Sequence, residues 1–324
     1  MSAEIYDNDL AVYAEMAWHR AGHVHGRPLN WDAYRELVRW PQAHRVDLYV
    51  NLPDGSGMVP IEGRSAIVNT DGDVLNVGIT KRRAIIQYDH MDDAVEAMLG
   101  TGLATGVVSA GTLGHGAKAY VTLEFGDPID IPGYSKVNRW FTLADGHDGS
   151  IAASGRATLG VVVCANTFQS NLIGRPAAWS IRHTTNAELY IGEAVTAFMS
   201  AAMEQQAIEK AVERLVNETY AEAEFNSLVK RLVPMPRKGD DTRGRTKCEK
   251  RRASMMERYW APDLDSGIRG TRWGALMAVQ GWEQHDSPVN RKTDRESRHV
   301  DRLISSGMPL SEKASRILIG ATTD

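Results

Sequence analysis

Apolar and polar residues alternate with period two through most of the first half of the chain and with helical spacing through most of the second. RVDLYVNL (45–52) alternates and reads as a strand. MVPIEGRSAIVNTDGDVLNVGIT (58–80) reads as a hairpin turning at Asp71-Gly72. Further strands are predicted over 107–125, 137–143 and 157–164, the last a continuous apolar run and therefore buried. Helical spacing appears first in WDAYRELVRW (31–40), where Asn30 supplies a cap and Pro41 a stop. It recurs in MDDAVEAMLG (91–100), with Asp92 and Asp93 in the first turn and Gly100 at the C-cap. Asn166 and Thr167 are placed to cap a helix after the buried strand. Residues 193–233 hold the longest periodic, proline-free stretch, one helix or two joined near Asn217, and 247–285 is helical again.

Strands followed by helices predict an α+β fold, an antiparallel sheet core with a helical C-terminal half. The expected organisation is an N-terminal arm (1–29), an α+β core (30–190) and a helical region (191–324) containing a basic loop over 235–248. No repeat or low-complexity segment interrupts it.

Composition narrows the function classes. A chain of 324 residues with 43% hydrophobic and 24% charged content can bury a substantial core. Its two cysteines, Cys164 and Cys248, are far apart, which argues against a thiolate metal cluster or a disulfide framework. Glu4, Asp7, Asp9 and Glu15 near the start, and the lack of any long apolar run, predict a cytoplasmic protein without signal peptide or membrane span.

Net charge is −4, yet residues 230–258 hold eleven bases against four acids. Pro234, Pro236, Gly239 and Gly244 break helical continuity there, giving the expected mobile loop ahead of a helix over 247–260. Arg237, Lys238, Arg243, Arg245, Lys247, Lys250, Arg251 and Arg252 are its candidate phosphate contacts, because cations displace condensed counterions from a nucleic-acid backbone. Tyr259, Trp260 and Trp273 follow closely enough to stack on bases, or else to fill a core.

Smaller constellations carry competing readings. His19, His23 and His25 have metal-ligand spacing, but glycines interrupt the segment and no fourth ligand is near, so an arm packed around Trp18 is the simpler account and no metal is expected. His147, Asp148 and Ser150 are too close in sequence to converge as a triad; Gly146 and Gly149 suggest a turn from which His147 and Asp148 face a ligand. Arg182 and His183 offer a phosphate grip or pair with a neighbour. The cysteine at 164, after a run of valines, reads as core. GTLGHGAKAY (111–120) lacks the Ser or Thr of a nucleotide loop and the helix–strand context of a dinucleotide fold, so no cofactor is expected.

Five segments stand in a distinctive order: AWHRAG (17–22), SAGTLGHGAKAYVTLEF (109–125), GHDGSIAASGRATLGVVVCANTFQSNL (146–172), IRHTT (181–185) and RWGALMAVQGWEQH (272–285). Together they resemble a phage and plasmid protein family of unknown function with Trp-His-x-x-Gly, His-Asp-Gly-Ser and Val-Cys-x-Asn-Thr segments. The resemblance implies a bacterial host. Three classes of function follow. The leading expectation is a phage DNA-binding protein of recombination or replication, a single-strand annealing protein that acts without nucleotide. Its partners would be single-stranded DNA, other copies of itself and a phage nuclease. The alternatives are a nucleic-acid or nucleotide enzyme using His147, Asp148 and His183, and a non-enzymatic host-interaction scaffold presenting 193–233.

Overall fold

A computed structural model describes residues 12–13, 23–24, 29–131, 134–161, 166–169, 178–184, 191–236, 242–264, 267–288 and 309–320. It is α+β: two sheets, antiparallel except for one short pair, precede a cluster of helices.

Two dipeptide strands, β1 (Val12–Tyr13) and β2 (His23–Val24), lead to α1 (Trp31–Val38). Asn30 caps α1 as expected, its side-chain oxygen accepting from the Ala33 amide at 2.9 Å. Trp31, Tyr34 and Val38 form its buried stripe. The helix stops before Pro41, at Arg39, which takes a left-handed φ of 45°. β3 (Ala43–Asn51), β4 (Met58–Asn69) and β5 (Val74–Thr80) form a small sheet in that order. The turn between β4 and β5 falls at Asp71-Gly72, with Gly72 at φ 88°. The Asn69 side-chain oxygen accepts from the amides of Asp71 and Asp73 and fixes that turn.

α2 (Asp89–Gly100) buries Met91, Ala94, Val95 and Met98, and Gly102 rather than Gly100 takes the left-handed exit at φ 70°. The large sheet then assembles from hairpins: β6 (Ala104–Leu113) with β7 (Lys118–Phe125), and β9 (Ser135–Gly146) with β10 (Ala153–Val161), β7 pairing β9. β8 (Ile129–Ile131) pairs β9, while β11 (Asn166–Gln169) and β12 (Ala178–Ile181) both pair β10.

The pairing of β11 corrects one expectation. Asn166 and Thr167 start no helix; they lie in a strand opposite Val161 and Gly160, and the strand ladder satisfies their backbone in place of a cap. Cys164, and the end of the run predicted over 157–164, lie outside the described residues.

The predicted 193–233 element is three helices: α3 (Ile191–Met203), α4 (Gln205–Asn217) and α5 (Glu222–Leu232). The break near Asn217 has a cause. Thr219 bridges to Thr271, the Tyr220 amide donates to the Gly270 carbonyl, and the Arg272 amide donates to the Glu218 carbonyl. The predicted helix 247–285 is likewise two, α6 (Thr242–Tyr259) and α7 (Arg272–Gly281), with a π-helical turn at Trp282–Asp286. Pro262 and two glycines with positive φ, Gly267 and Gly270, separate them. α8 (Pro309–Ile319) packs on α7, and the buried Glu283 carboxylate caps its start, accepting from the Ser311 amide at 2.8 Å and hydroxyl at 2.7 Å.

Two cores result. One lies among β6, β7, β9, β10 and helices α1 to α3; the other joins β8 and the near ends of β9 and β10 to α4 through α8. Alternate residues of β9 share one face of the sheet. Along that face Leu143 and Phe141 belong to the first core and Val137 to the second. Arg139 sits at the seam, its side chain fully buried and ion-paired to Glu209 of α4. Of the three helices that replace the expected 193–233 element, α4 and α5 bury Ile208, Val212, Leu215, Phe225, Leu228 and Val229 in the second core.

Candidate nucleic-acid interface

α6 begins at Thr242, so Arg243, Arg245 and Lys247 are helical rather than part of a loop over 235–248. Arg237 and Lys238 lie outside the described residues. The helix is held by a sparse apolar row, Cys248, Met255 and Tyr259, facing α5 and α7. At 100° per residue the opposite side of the cylinder carries Arg243, Lys247 and Lys250, spaced i, i+4, i+7, with Arg251 beside them. All four are exposed. At about 1.5 Å per residue the row runs about 12 Å from Arg243 to Arg251. Glu257 ends it at the C-terminal turn. Lys230 and Arg231, exposed in the last turn of α5, extend the cationic surface.

The remaining cations of α6 face inward. Arg252 donates from Nε to the Val233 carbonyl at 2.9 Å and from Nη2 to the Lys230 carbonyl at 3.4 Å, closing the C-terminus of α5. Arg258 lies against Gly281 and 3.8 Å from Asp286. Arg245 is half-buried. Arg251 is shared between roles, its guanidinium carbon 5.4 Å from the centroid of the Trp282 ring. Of the three aromatics expected to offer stacking, Trp273 and Tyr259 are core residues. Only Trp260, about half exposed, presents a ring at the surface, with Arg269 5.0 Å from its centroid.

The histidine cluster sits where the β9–β10 turn meets the small sheet. His147, expected to face a ligand from the turn, is fully buried, its ring 4.4 Å from that of Tyr88. The backbone holds it there, the His147 amide donating to the Ala117 carbonyl at 2.8 Å and its carbonyl accepting from Asn76 at 3.0 Å. Neither ring nitrogen has a hydrogen-bond partner among the described residues. Burial pushes its pKa down to about 4, which leaves the ring neutral at pH 7. Asp148 folds back on its own turn, accepting from the Ser150 amide at 2.9 Å and hydroxyl at 2.7 Å, with Lys118 3.6 Å away. The turn predicted from Gly146 and Gly149 is therefore present and His147, Asp148 and Ser150 form no triad.

His183 pairs with a neighbour. Its Nε2 lies 2.6 Å from Oδ1 of Asp145, and both side chains are buried. The pairing alternative holds for His183, while Arg182 is exposed beside it. Asp145 also borders a cavity of about 40 Å³ lined by Ile86, Met91, Leu143, Ser154 and Trp179, which has room for a water or two and not for a nucleotide. Sequence reasoning missed Asp145; an acid ending the apolar strand FTLAD was the available signal. No group of three His, Cys, Asp or Glu side chains among the described residues has the geometry to hold a metal. The side chains of His19, His23 and His25 lie outside the described residues. No helix among the described residues is long and apolar enough to cross a membrane.

No curated protein and no solved structure matches this chain. A family model described as "Domain of unknown function (DUF932)" matches residues 79–305. That span takes in the large sheet from β6 onward, the histidine cluster and the basic face of α6. The chain is a member of the DUF932 family.

Proposed function

We propose that this protein binds nucleic acid, single strands above all, by laying the backbone along the exposed face of α6. The observation that carries the reading is the row Arg243, Lys247 and Lys250 opposite the buried Met255 and Tyr259, with exposed Arg251 flanking it. A helix with its apolar row in a core and its cations in a line on the far side offers phosphates a rigid track. Lys230 and Arg231 widen that track, and Trp260 offers one ring for a base to stack on. Contacts of this type hold the backbone and carry no sequence preference.

The finer role is strand annealing in phage recombination or replication, without a nucleotide and alongside a phage nuclease. It rests on this face together with the resemblance of the sequence. The enzyme alternative through His147, Asp148 and His183 gains no support from a pair of histidines buried away from solvent. Fluorescence anisotropy with a labelled single-stranded oligonucleotide and a duplex of equal length, titrated across salt concentrations, tests the proposal. Four phosphate contacts give a slope of log affinity against log salt of about −3 for the single strand. An affinity for neither ligand, or one indifferent to salt, overturns it.

A further inference from the structure

The small sheet carries a ribbon whose large apolar side chains are exposed and that no other described strand pairs beyond β5. β5 pairs only with Arg64–Val68 of β4, so the part of the β3–β4 hairpin from Leu48 to Gly63 extends beyond the third strand. Cross-strand pairing puts Val50 beside Val59 on one face, while Tyr49 and Pro60 pair on the other. Both faces are bare: Met58 is 67% exposed, Tyr49 56%, Val50 48%, and Ile61 and Val59 are exposed too. Val74 and Val77 of β5 are also exposed. With Val46, the bare residues summed over both faces of the ribbon and β5 amount to on the order of 700 Å². A two-stranded ribbon alone in water is marginally stable at best.

From this patch we infer that the β3–β4 ribbon is a self-association arm whose partner is a second copy of the chain. Three features select that occupant. The bare area approaches the roughly 800 Å² per side of a standard interface. The ribbon's charges are mixed, Arg45 and Arg64 against Asp47, Asp54 and Glu62, so it selects neither an acidic nor a basic partner. The free edge of β4 is blunted, because Pro60 lacks an amide proton and the register jumps between Pro60 and Ser65, with Gly63 at φ 71°. On the β4 side the occupant is therefore a packed face rather than an added strand. Exchange of arms about a two-fold supplies both faces: one lies on the partner's ribbon, the other on the partner's small sheet beside its exposed valines. The arm is remote in sequence from α6, and the inference stands independently of nucleic-acid binding.

Sedimentation equilibrium of the full chain tests it. The expected mass is twice that of the chain, or a multiple of that, and the double variant Val50→Lys, Val59→Lys sediments at the single-chain mass with its helical circular-dichroism signal unchanged. A wild-type protein that stays at the single-chain mass at high micromolar concentration overturns the inference, as does an unchanged mass in the folded variant. Hydrogen exchange on the wild type gives a reading free of the variant's folding. Amides of 46–62 should gain protection as concentration rises, and protection independent of concentration overturns the arm.

Discussion

The two sides of α6 predict opposite consequences for residues one position apart. Replacing Arg243, Lys247, Lys250 and Arg251 together by glutamine removes the exposed row and leaves Arg252 in place. Each phosphate contact contributes about 0.7 to the salt slope on a single strand, so the four together remove about 2.8. Between about 50 and about 200 mM salt that slope corresponds to a loss of about 50-fold in wild-type affinity, which the variant should not show. The fold tolerates the change, since exposed charges contribute little to stability. The contact of Arg251 with Trp282 accounts for about 0.5 to 1 kcal/mol. Arg252→Gln does the reverse. It strips two donors from the last carbonyls of α5, costing about 1 to 2 kcal/mol and a few degrees of melting temperature, and leaves the salt slope alone. Anisotropy titrations paired with thermal melts separate the two. The reasoning is refuted if the quadruple variant keeps the wild-type slope, or if Arg252→Gln alone abolishes it.

Other perturbations probe the frame around this face. The folded His147 ring refuses a proton down to about pH 4, whereas the unfolded ring accepts one below about 6.5. Its contribution is therefore fully present above pH 6.5 and falls by about 2 to 3 kcal/mol on acidification to about pH 4.5; urea titrations should show that loss in wild type and not in His147→Phe. A Cβ on Gly274 would lie 2.1 Å from the Ile268 carbonyl oxygen, a backbone atom that cannot give way, so Gly274→Ala should cost at least 1 to 3 kcal/mol while Gly192→Ala, with open space around it, should be near neutral. Asn30→Ala and Thr271→Ala each remove a side-chain acceptor at the start of a helix, bonded to Ala33 at 2.9 Å and to Gly274 at 3.0 Å, and each should cost about 1 kcal/mol in thermal melts.

Local signals were legible where one turn or one period decides the outcome. The Asp71-Gly72 hairpin, the Asn30 cap and the stripe of α2 depend on residues a few positions apart, and the strands-then-helices order carries the α+β class. Signals failed where a distant partner decides. Asn166 and Thr167 look like a cap until Val161 and Gly160 supply a strand to pair with. Pro234 and Pro236 do lie outside any helix, but the glycine at 244, which also looks like loop, is helical: a glycine in a helix costs only about 1 kcal/mol, and docking of Met255 and Tyr259 in the second core outweighs it. Charge counting found the cations of α6 but could not divide Arg251 from Arg252, because the division depends on where α5 ends. His183 was legible as one of two outcomes; its burial against Asp145 joins β9 to the segment after β12, 38 residues apart.

The clasp between Glu283 and α8 separates what is inherited as a family from what folds as a body. The match ends at residue 305, yet the carboxylate inside it finds its donors in Ser311 beyond it, and Ala314 and Leu318 complete the core that Trp273 and Trp282 begin. At the other boundary, Asn76 lies ahead of residue 79 and holds the carbonyl of His147. A gene fragment cut at the family limits would express an unanswered buried charge and an opened core. Any fusion, split or transplant of this module should be cut wider than its signature, from α1 through α8.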